Sequence, residues 1–227
     1  MIPAAGVGKR MGGDMPKQYL ELLDRPVIDH TIERLLLHPA IDGLYVALGR
    51  DDPWWAGTEF ADHPDLVRVS GGAERCHSVL NALEVLGDRA AENDWVLVHD
   101  AARPCVRRDD ISRLVRCVEA EEGCGGLLGI PVHDTMKRTD DSAHVQQTVD
   151  RDGLWHAFTP QMFRFGELRK ALRDALEAGF LVTDEASAME RAGLIPLMVE
   201  GARDNIKITR PEDLALAAWH LARQASG

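Results

Sequence analysis

The chain is poor in cysteine: Cys76, Cys105, Cys117 and Cys124 are the four thiols in 227 residues. No two have C-x-x-C spacing, and no nearby histidines complete a zinc pattern. That excludes a disulfide scaffold and a structural zinc site, and the cysteines read as reduced, mostly buried thiols of a cytosolic protein. Long apolar runs are missing, so no segment is expected to cross a membrane, and no secretory leader is recognisable. Positive charge is scarce: 26 Lys and Arg face 37 Asp and Glu, a net charge of -11 with a pI near 5.2. General nucleic-acid binding wants a basic face, so nucleic acid is not an expected partner. There is no internal repeat, low-complexity tract or interdomain linker. The expectation is one domain over residues 1–227, with no second enzyme fused after Gly227. A hydrophobic share of 45% suffices for a sizeable core.

What is present is an alternation of short apolar strands and amphipathic helices. Strands are predicted at Leu44–Leu48, Leu66–Val69, Trp95–Val98 and Leu127–Val132, with shorter ones at Leu197–Val199 and Ile206–Ile208. Ile28, Ile32, Leu35 and Leu36 mark one helix face; Cys76, Val79, Leu80, Leu83 and Leu86 mark another. A last helix is expected from Thr209-Arg210-Pro211-Glu212, with capping-box spacing and the apolar face Leu214, Ala217, Ala218, Leu221. The fold class is therefore α/β, a Rossmann-like, mostly parallel sheet with helices on both faces. Ligands in such sheets bind beyond the carboxyl ends of the strands. His133 to Phe158 breaks the pattern. It is polar, and its flanks such as Val145–Val149 are β-rich, so it reads as a protruding two-stranded β-arm for dimerisation, or else a mobile surface loop.

Most of the chemistry lies near the start. Small residues from Ala4 to Gly8 let backbone N–H groups approach a phosphate chain, and Arg10 and Lys17 can neutralise it. Met11 defeats a G-x-G-x-x-G fingerprint, and Pro3 and Arg10 defeat a P-loop. The remaining pattern, A-A-G-x-G-x-R-M followed by P-K, is similar to the signature loop of nucleotidyltransferases that activate sugars or alditols. Only Met1 to Pro3 precede this loop, so the first strand is expected to be short, or the true start to lie upstream.

Four further groups could join it. Val98-His99-Asp100-Ala101-Ala102-Arg103-Pro104 follows a strong strand. Asp100 suits Mg²⁺, directly or through water, and Arg103 suits a second phosphate; the plainer reading is a turn cap and a solvated cation. His99 reads as structural or hydrogen-bonding. Gly71-Gly72 leads to a helix bearing Ser78, which could hydrogen-bond a base; an ordinary strand–helix turn is an equal reading. Thr135, Arg151 and Thr159 could together bind a substrate phosphate. Lys207 could reach the reacting phosphates, with Asp204 orienting it or binding Mg²⁺, or it could be a surface lysine.

The blocks P-A-A-G-V-G-K-R-M, P-K-Q-Y, G-G-A-E-R, V-H-D-A-A-R-P, D-T-M-K, V-D-R-D-G-L-W, T-P-Q, T-D-E-A-S-A and D-N-I-K-I-T-R-P-E-D span the chain. Together they resemble the 2-C-methyl-D-erythritol 4-phosphate cytidylyltransferase family of the non-mevalonate isoprenoid pathway. The resemblance implies CTP and an alditol phosphate as substrates, Mg²⁺ as cofactor, a cytoplasmic homodimer joined through the arm, and pyrophosphate as by-product. It implies Arg10, Lys17 and Lys207 as catalytic cations. It implies nucleotide contacts at Pro3, Ala4, Ala5, Gly6, Gly8, Gly72, Ser78, Asp100 and Ala101. It implies alditol-phosphate contacts at Arg103, Thr135, Arg151, Thr159 and Asp204, some of them across the dimer, with Asp100 on the metal side. Ala73 departs from the family, standing where many relatives carry an acid. The alternatives are a ribitol-5-phosphate cytidylyltransferase and a non-catalytic nucleotide-binding protein.

Overall fold

A computed structural model describes residues 1–6 and 15–225. Gly8 and Arg10 lie outside the described residues. The chain runs through β1 (Ile2–Pro3), β2 (Glu21–Leu22), β3 (Arg25–Pro26), α1 (Val27–Leu36), β4 (Leu44–Leu48), β5 (Leu66–Ser70), α2 (Arg75–Leu86) and β6 (Trp95–Val98). It continues with α3 (Arg108–Ala120), β7 (Gly125–Pro131), β8 (Met136–Thr139), β9 (Val145–Val149), β10 (Trp155–Arg164), α4 (Phe165–Glu177), α5 (Glu185–Arg191), β11 (Leu197–Glu200) and α6 (Glu212–Ala225).

Beside the two-stranded pairs β2-β3 and β8-β9, the described ladders make two larger sheets, β1-β4-β5, all parallel, and β11-β7-β10-β6, in which only β11 and β7 are parallel. Met1 joins them. Its nitrogen donates to the Leu97 carbonyl at 2.6 Å, and its carbonyl accepts from His99 N–H at 2.9 Å. That is the parallel bonding pattern, so the order across the molecule is β5-β4-β1-β6-β10-β7-β11. The carboxyl ends of β1, β4, β5 and β6 thus share one edge.

Alternation within strands fills both faces. Tyr45, Val98, Leu127 and Phe163 join one core cluster with Val79 and Leu83 of α2 and Leu168 and Leu172 of α4. Their neighbours Leu44, Val46, Leu128 and Met162 join a second cluster with Ile28 and Ile32 of α1 and Ile111 and Leu114 of α3. A third, smaller cluster seats Ala217 and Leu221 of α6 against Leu22, Ala102, Cys105 and Ile208.

Three expectations need correction. Ile206–Ile208 is not a strand. Its neighbour is the loop after β6, so Ile208 N–H bonds the Ala102 carbonyl at 2.8 Å and no ladder forms. The last helix begins at Glu212, capped from inside: the Asp213 carboxylate accepts from Thr209 N–H and Oγ1 and from Arg210 N–H at 2.8–2.9 Å. The strand predicted from Leu127 starts instead at Gly125 (φ +131°), where a Cβ would lie 2.1 Å from the Met162 carbonyl. The polar stretch after Val132 is a hairpin of β8 and β9, exposed along nearly its whole length.

Candidate active site

The shared edge collects the sequence motifs. The Ala4 N–H extends the β1–β4 ladder to the Ala47 carbonyl at 2.8 Å, which delivers Ala4, Ala5 and Gly6 beyond the strand ends. Beside them runs Gly71. A Cβ there would meet the Ala5 Cβ at 2.2 Å, so the Gly71 backbone packs directly on the Ala5 methyl. Ser78 is buried in α2. Its hydroxyl accepts from Gly72 N–H at 3.0 Å and bonds the Glu74 carbonyl at 3.3 Å. Its visible work is to shape the Gly72 turn. Pro3 is part of β1, and Ala101 is buried within the loop after β6.

Asp100 is the hub. It is only 7% exposed, and three cations converge on it. Arg75 Nε lies 3.0 Å from Oδ1, Lys207 Nζ 2.8 Å from Oδ2, and Arg103 Nε 3.4 Å from Oδ2. Burial pushes this carboxyl's pKa up, but Arg75, Lys207 and Arg103 overcome it and hold Asp100 far below the usual carboxylate range. Arg75 in turn grips Glu185 with both terminal nitrogens, at 2.6 and 3.0 Å. Burial would lower the Arg75 pKa, and Glu185 and Asp100 raise it instead. Glu185 has no solvent exposure. It opens α5, whose Asp184 and Ser187 form a reciprocal cap, and Gln161 ties that cap to β10 by bonding Asp184 Oδ2 at 3.0 Å and Ala186 N–H at 2.7 Å.

Below the hub, Thr159 and His99 form a neutral support. Thr159 sits where β10 shifts register against β7, between Ala157 and Gln161, a device that re-aims side chains. Its hydroxyl accepts from Asp100 N–H at 3.0 Å and donates to His99 Nδ1 at 2.9 Å, since the other ring nitrogen faces a carbonyl and must carry the neutral ring's proton. His99 then carries its proton on Nε2 and donates to the Arg103 carbonyl at 3.0 Å. Burial lowers the His99 pKa to about 4, which keeps the ring neutral.

Lys207 rides on an irregular segment, and the site's own side chains hold that segment. Lys17 Nζ donates to the Ile208 carbonyl at 2.8 Å. Arg103 donates to the Asn205 carbonyl at 2.7 Å, and Asn205 Nδ2 to the Thr159 carbonyl at 2.8 Å. Lys17 and Lys207, 190 positions apart, therefore meet at one strand end. Lys207 is 39% exposed along its side chain, so it can turn outward to an anion.

Several expected substrate residues sit differently. Arg103 is buried, stacked 4.8 Å from the Phe158 ring and committed to Asp100 and Asn205. Thr159 is buried and spent on Asp100 and His99. Asp204 accepts from Arg107 at 2.6–3.1 Å and from Gln224 at 3.0 Å, and does not orient Lys207 directly. Burial raises the Asp204 pKa, and the bonds from Arg107 and Gln224 bring it below the usual range. Thr135 and Arg151 are exposed on or beside the arm, where Arg151 bonds the His133 carbonyl. Among the described residues no hydrogen bond links either to Asp100. Sequence reasoning assigned no role to Arg75, Glu185, Gln18 and Gln161. Their blocks are legible in the sequence, but Arg75 beside Glu74, Gln18 beside Lys17 and Glu185 beside Asp184 read as ordinary polar neighbours, and only the fold gives them buried partners.

An open α/β sheet with paired glycine loops, an ionised carboxylate and several converging cations beyond its strand ends defines a nucleotidyltransferase. The family model for IspD, 2-C-methyl-D-erythritol 4-phosphate cytidylyltransferase, matches residues 1–223. The chain belongs to that family. The relative of that name from Hahella chejuensis is 56% identical over 98% of this chain and 92% of its own. The one from Vibrio vulnificus strain YJ016 is 53% identical over 99% and 94%. The crystal structure of the Francisella tularensis enzyme superposes with a TM-score of 0.85 at 38% identity, covering 96% of this chain and 97% of the other.

Proposed function

We propose that this chain transfers the cytidylyl group of CTP to 2-C-methyl-D-erythritol 4-phosphate, giving 4-diphosphocytidyl-2-C-methyl-D-erythritol and pyrophosphate for isoprenoid precursor synthesis. The observation that carries this is the convergence of Lys17, Lys207 and the Asp100 hub at the ends of β1 and β6, in a chain that matches the family over residues 1–223. The attacking group is a phosphate oxygen, already largely ionised at neutral pH because its second pKa is about 6. No general base is required, and the neutral, buried His99 offers none. Catalysis rests on placement and on cations that meet charge developing around the α-phosphorus. Lys17 and Lys207 do this among the described residues, and Arg10 is proposed to join them. Ala4 to Gly6 and the Gly72 turn frame the nucleotide. Thr135 and Arg151 are proposed to bind the alditol phosphate from the arm of the same or a second subunit, with the hairpin as the dimer contact. Arg103, Thr159 and Asp204 serve that site by supporting Asp100 and the Lys207 segment.

Among the described residues no group of three His, Cys, Asp or Glu side chains could hold a metal unaided. Mg²⁺ on a triphosphate needs only one or two carboxylates beside phosphate oxygens and water. Asp100, held ionised, fits that requirement, directly or through water. The ion, when bound, neutralises phosphate charge. The four free thiols suit a cytoplasmic setting, and among the described residues no helix is long and apolar enough to cross a membrane. The test is pyrophosphate release with methylerythritol phosphate, Mg²⁺ and each of CTP, UTP and ATP. Release that requires CTP is expected; equal release with the other nucleotides would contradict the reading.

A further inference from the structure

Gln18 follows Lys17 in a 3₁₀ turn, Lys17–Tyr19, and is 4% exposed. Its amide nitrogen donates to two carbonyls of the glycine loop, Ala4 at 2.7 Å and Gly6 at 3.2 Å. A primary amide has two N–H donors, and both are spent here. In a trans peptide the C=O and the next N–H point in opposite directions. Drawing the Ala4 carbonyl toward Gln18 therefore turns the Ala5 N–H away from it. The Ala4 N–H is fixed on Ala47, and Ala5 is crowded by Gly71. The loop's departure from β1 is thus gripped on several sides, and the grip that selects the peptide orientation is a side chain adjacent to Lys17. The remaining contacts of this turn point the same way: Tyr19 bonds Asp52 Oδ2 at 2.7 Å and stacks on Trp54, which anchors the turn to the segment that follows β4.

We propose that Gln18 is a positioning residue for the nucleotide half of the reaction. It sets the backbone at Ala4–Gly6 and couples that backbone to Lys17, so that loop donors and cation reach the triphosphate together. This rests on the CTP reading above. Gln18→Glu keeps the shape but sets a carboxylate oxygen against two carbonyls; Gln18→Met keeps the volume and deletes the donors.

The test is steady-state kinetics of both variants beside the unaltered protein, with CTP, methylerythritol phosphate and Mg²⁺, and thermal midpoints in parallel. Losing two hydrogen bonds that favour the bound geometry predicts a KM for CTP raised about tenfold. The KM for methylerythritol phosphate should stay within about twofold on the same scale. A purely structural role would lower apparent kcat with the fraction folded and leave both KM values alone; that outcome, or two unchanged KM values, overturns the proposal. If Gln18→Glu does not fold, Gln18→Met decides. If the unaltered protein does not turn over CTP, the catalytic reading fails separately, and calorimetric titration of CTP judges the role of Gln18: about tenfold weaker binding to Gln18→Met supports it, and equal binding overturns it.

Discussion

Asp100 is surrounded by cations of two kinds. Arg75 and Arg103 are held by Glu185 and Asn205 as well, whereas Lys207 is the exposed member. Replacing Lys207 with Ala should lower turnover by about two to three orders of magnitude, as for loss of one preorganised donor, and Lys17→Ala should do the same. A loss below about tenfold in single-turnover transfer would remove either lysine from the reacting centre. Arg75→Met strips Glu185 and Asp100 of a shared partner, and breaking a buried pair costs about 3 kcal/mol. Urea denaturation should show that loss; unchanged stability would mean that water reaches both carboxylates. Part of the pH dependence follows from His99 and Asp100, beside the Met1 amine, whose pKa burial lowers to about 5. With the folded His99 pKa lowered to about 4, the unfolded chain takes up a proton below about pH 6.5 that the folded chain refuses. The His99 contribution alone should therefore lower stability by about 2 kcal/mol between pH 7 and pH 5. The Asp100 contribution is present above about pH 4 and is lost only in stronger acid. A flat unfolding free energy from pH 7 to pH 5 would contradict a neutral, buried His99. At this scale the sequence marks Lys17, Asp100, Arg103 and Lys207, which the fold brings to one edge. It did not reveal the order of support, because Arg103, Thr159 and Asp204 look identical in a motif whether they touch substrate or hold the residue that does.

Elements were legible where one force dominated. Leu44–Leu48 and Trp95–Val98 are apolar runs between turns and appear with the expected bounds. β10 was hidden, since Thr159-Pro160-Gln161 interrupts its alternation and its antiparallel course runs against the βα pattern. Ile206–Ile208 has strand-like alternation but no strand to pair with. Its segment depends on α6 as well: Gln224 bonds Asp204 at 3.0 Å and the Cys105 carbonyl at 2.9 Å. Gln224→Ala should cost about 1 kcal/mol in unfolding free energy and lower turnover through the Lys207 segment, without changing the urea m-value. Equal turnover would detach α6 from the site. The β2–β3 hairpin turns through Leu23 (φ +51°) and Asp24 (φ +64°), both left-handed and neither glycine. Leu23 is 49% exposed, so little packing offsets that conformation. Leu23→Asn should stabilise by about 1 kcal/mol, read as a raised thermal midpoint.

Across the whole molecule, strand–helix alternation foretold a sheet with helices on both faces, and the two core clusters confirm that each strand supplies both. What alternation could not foretell is the join. Among the described residues, Met1 couples a parallel three-stranded sheet to a mixed four-stranded one, which sets the ends of β1 and β6 side by side. The hairpin is the opposite case, a polar element with almost no core of its own. Two strands alone are marginal in water, which supports its proposed role as a dimer contact. Shortening it to a tight turn across residues 138–146 should yield a monomer by sedimentation velocity, whereas a persistent dimer would place the interface elsewhere. The most direct test of the whole reading is kcat/KM for pyrophosphate release from CTP with methylerythritol 4-phosphate against ribitol 5-phosphate. A preference for methylerythritol phosphate of about a hundredfold or more is predicted, the scale on which a pocket discriminates a one-group difference in substrate shape. Equal use of the two, or a preference for ribitol phosphate, would contradict it.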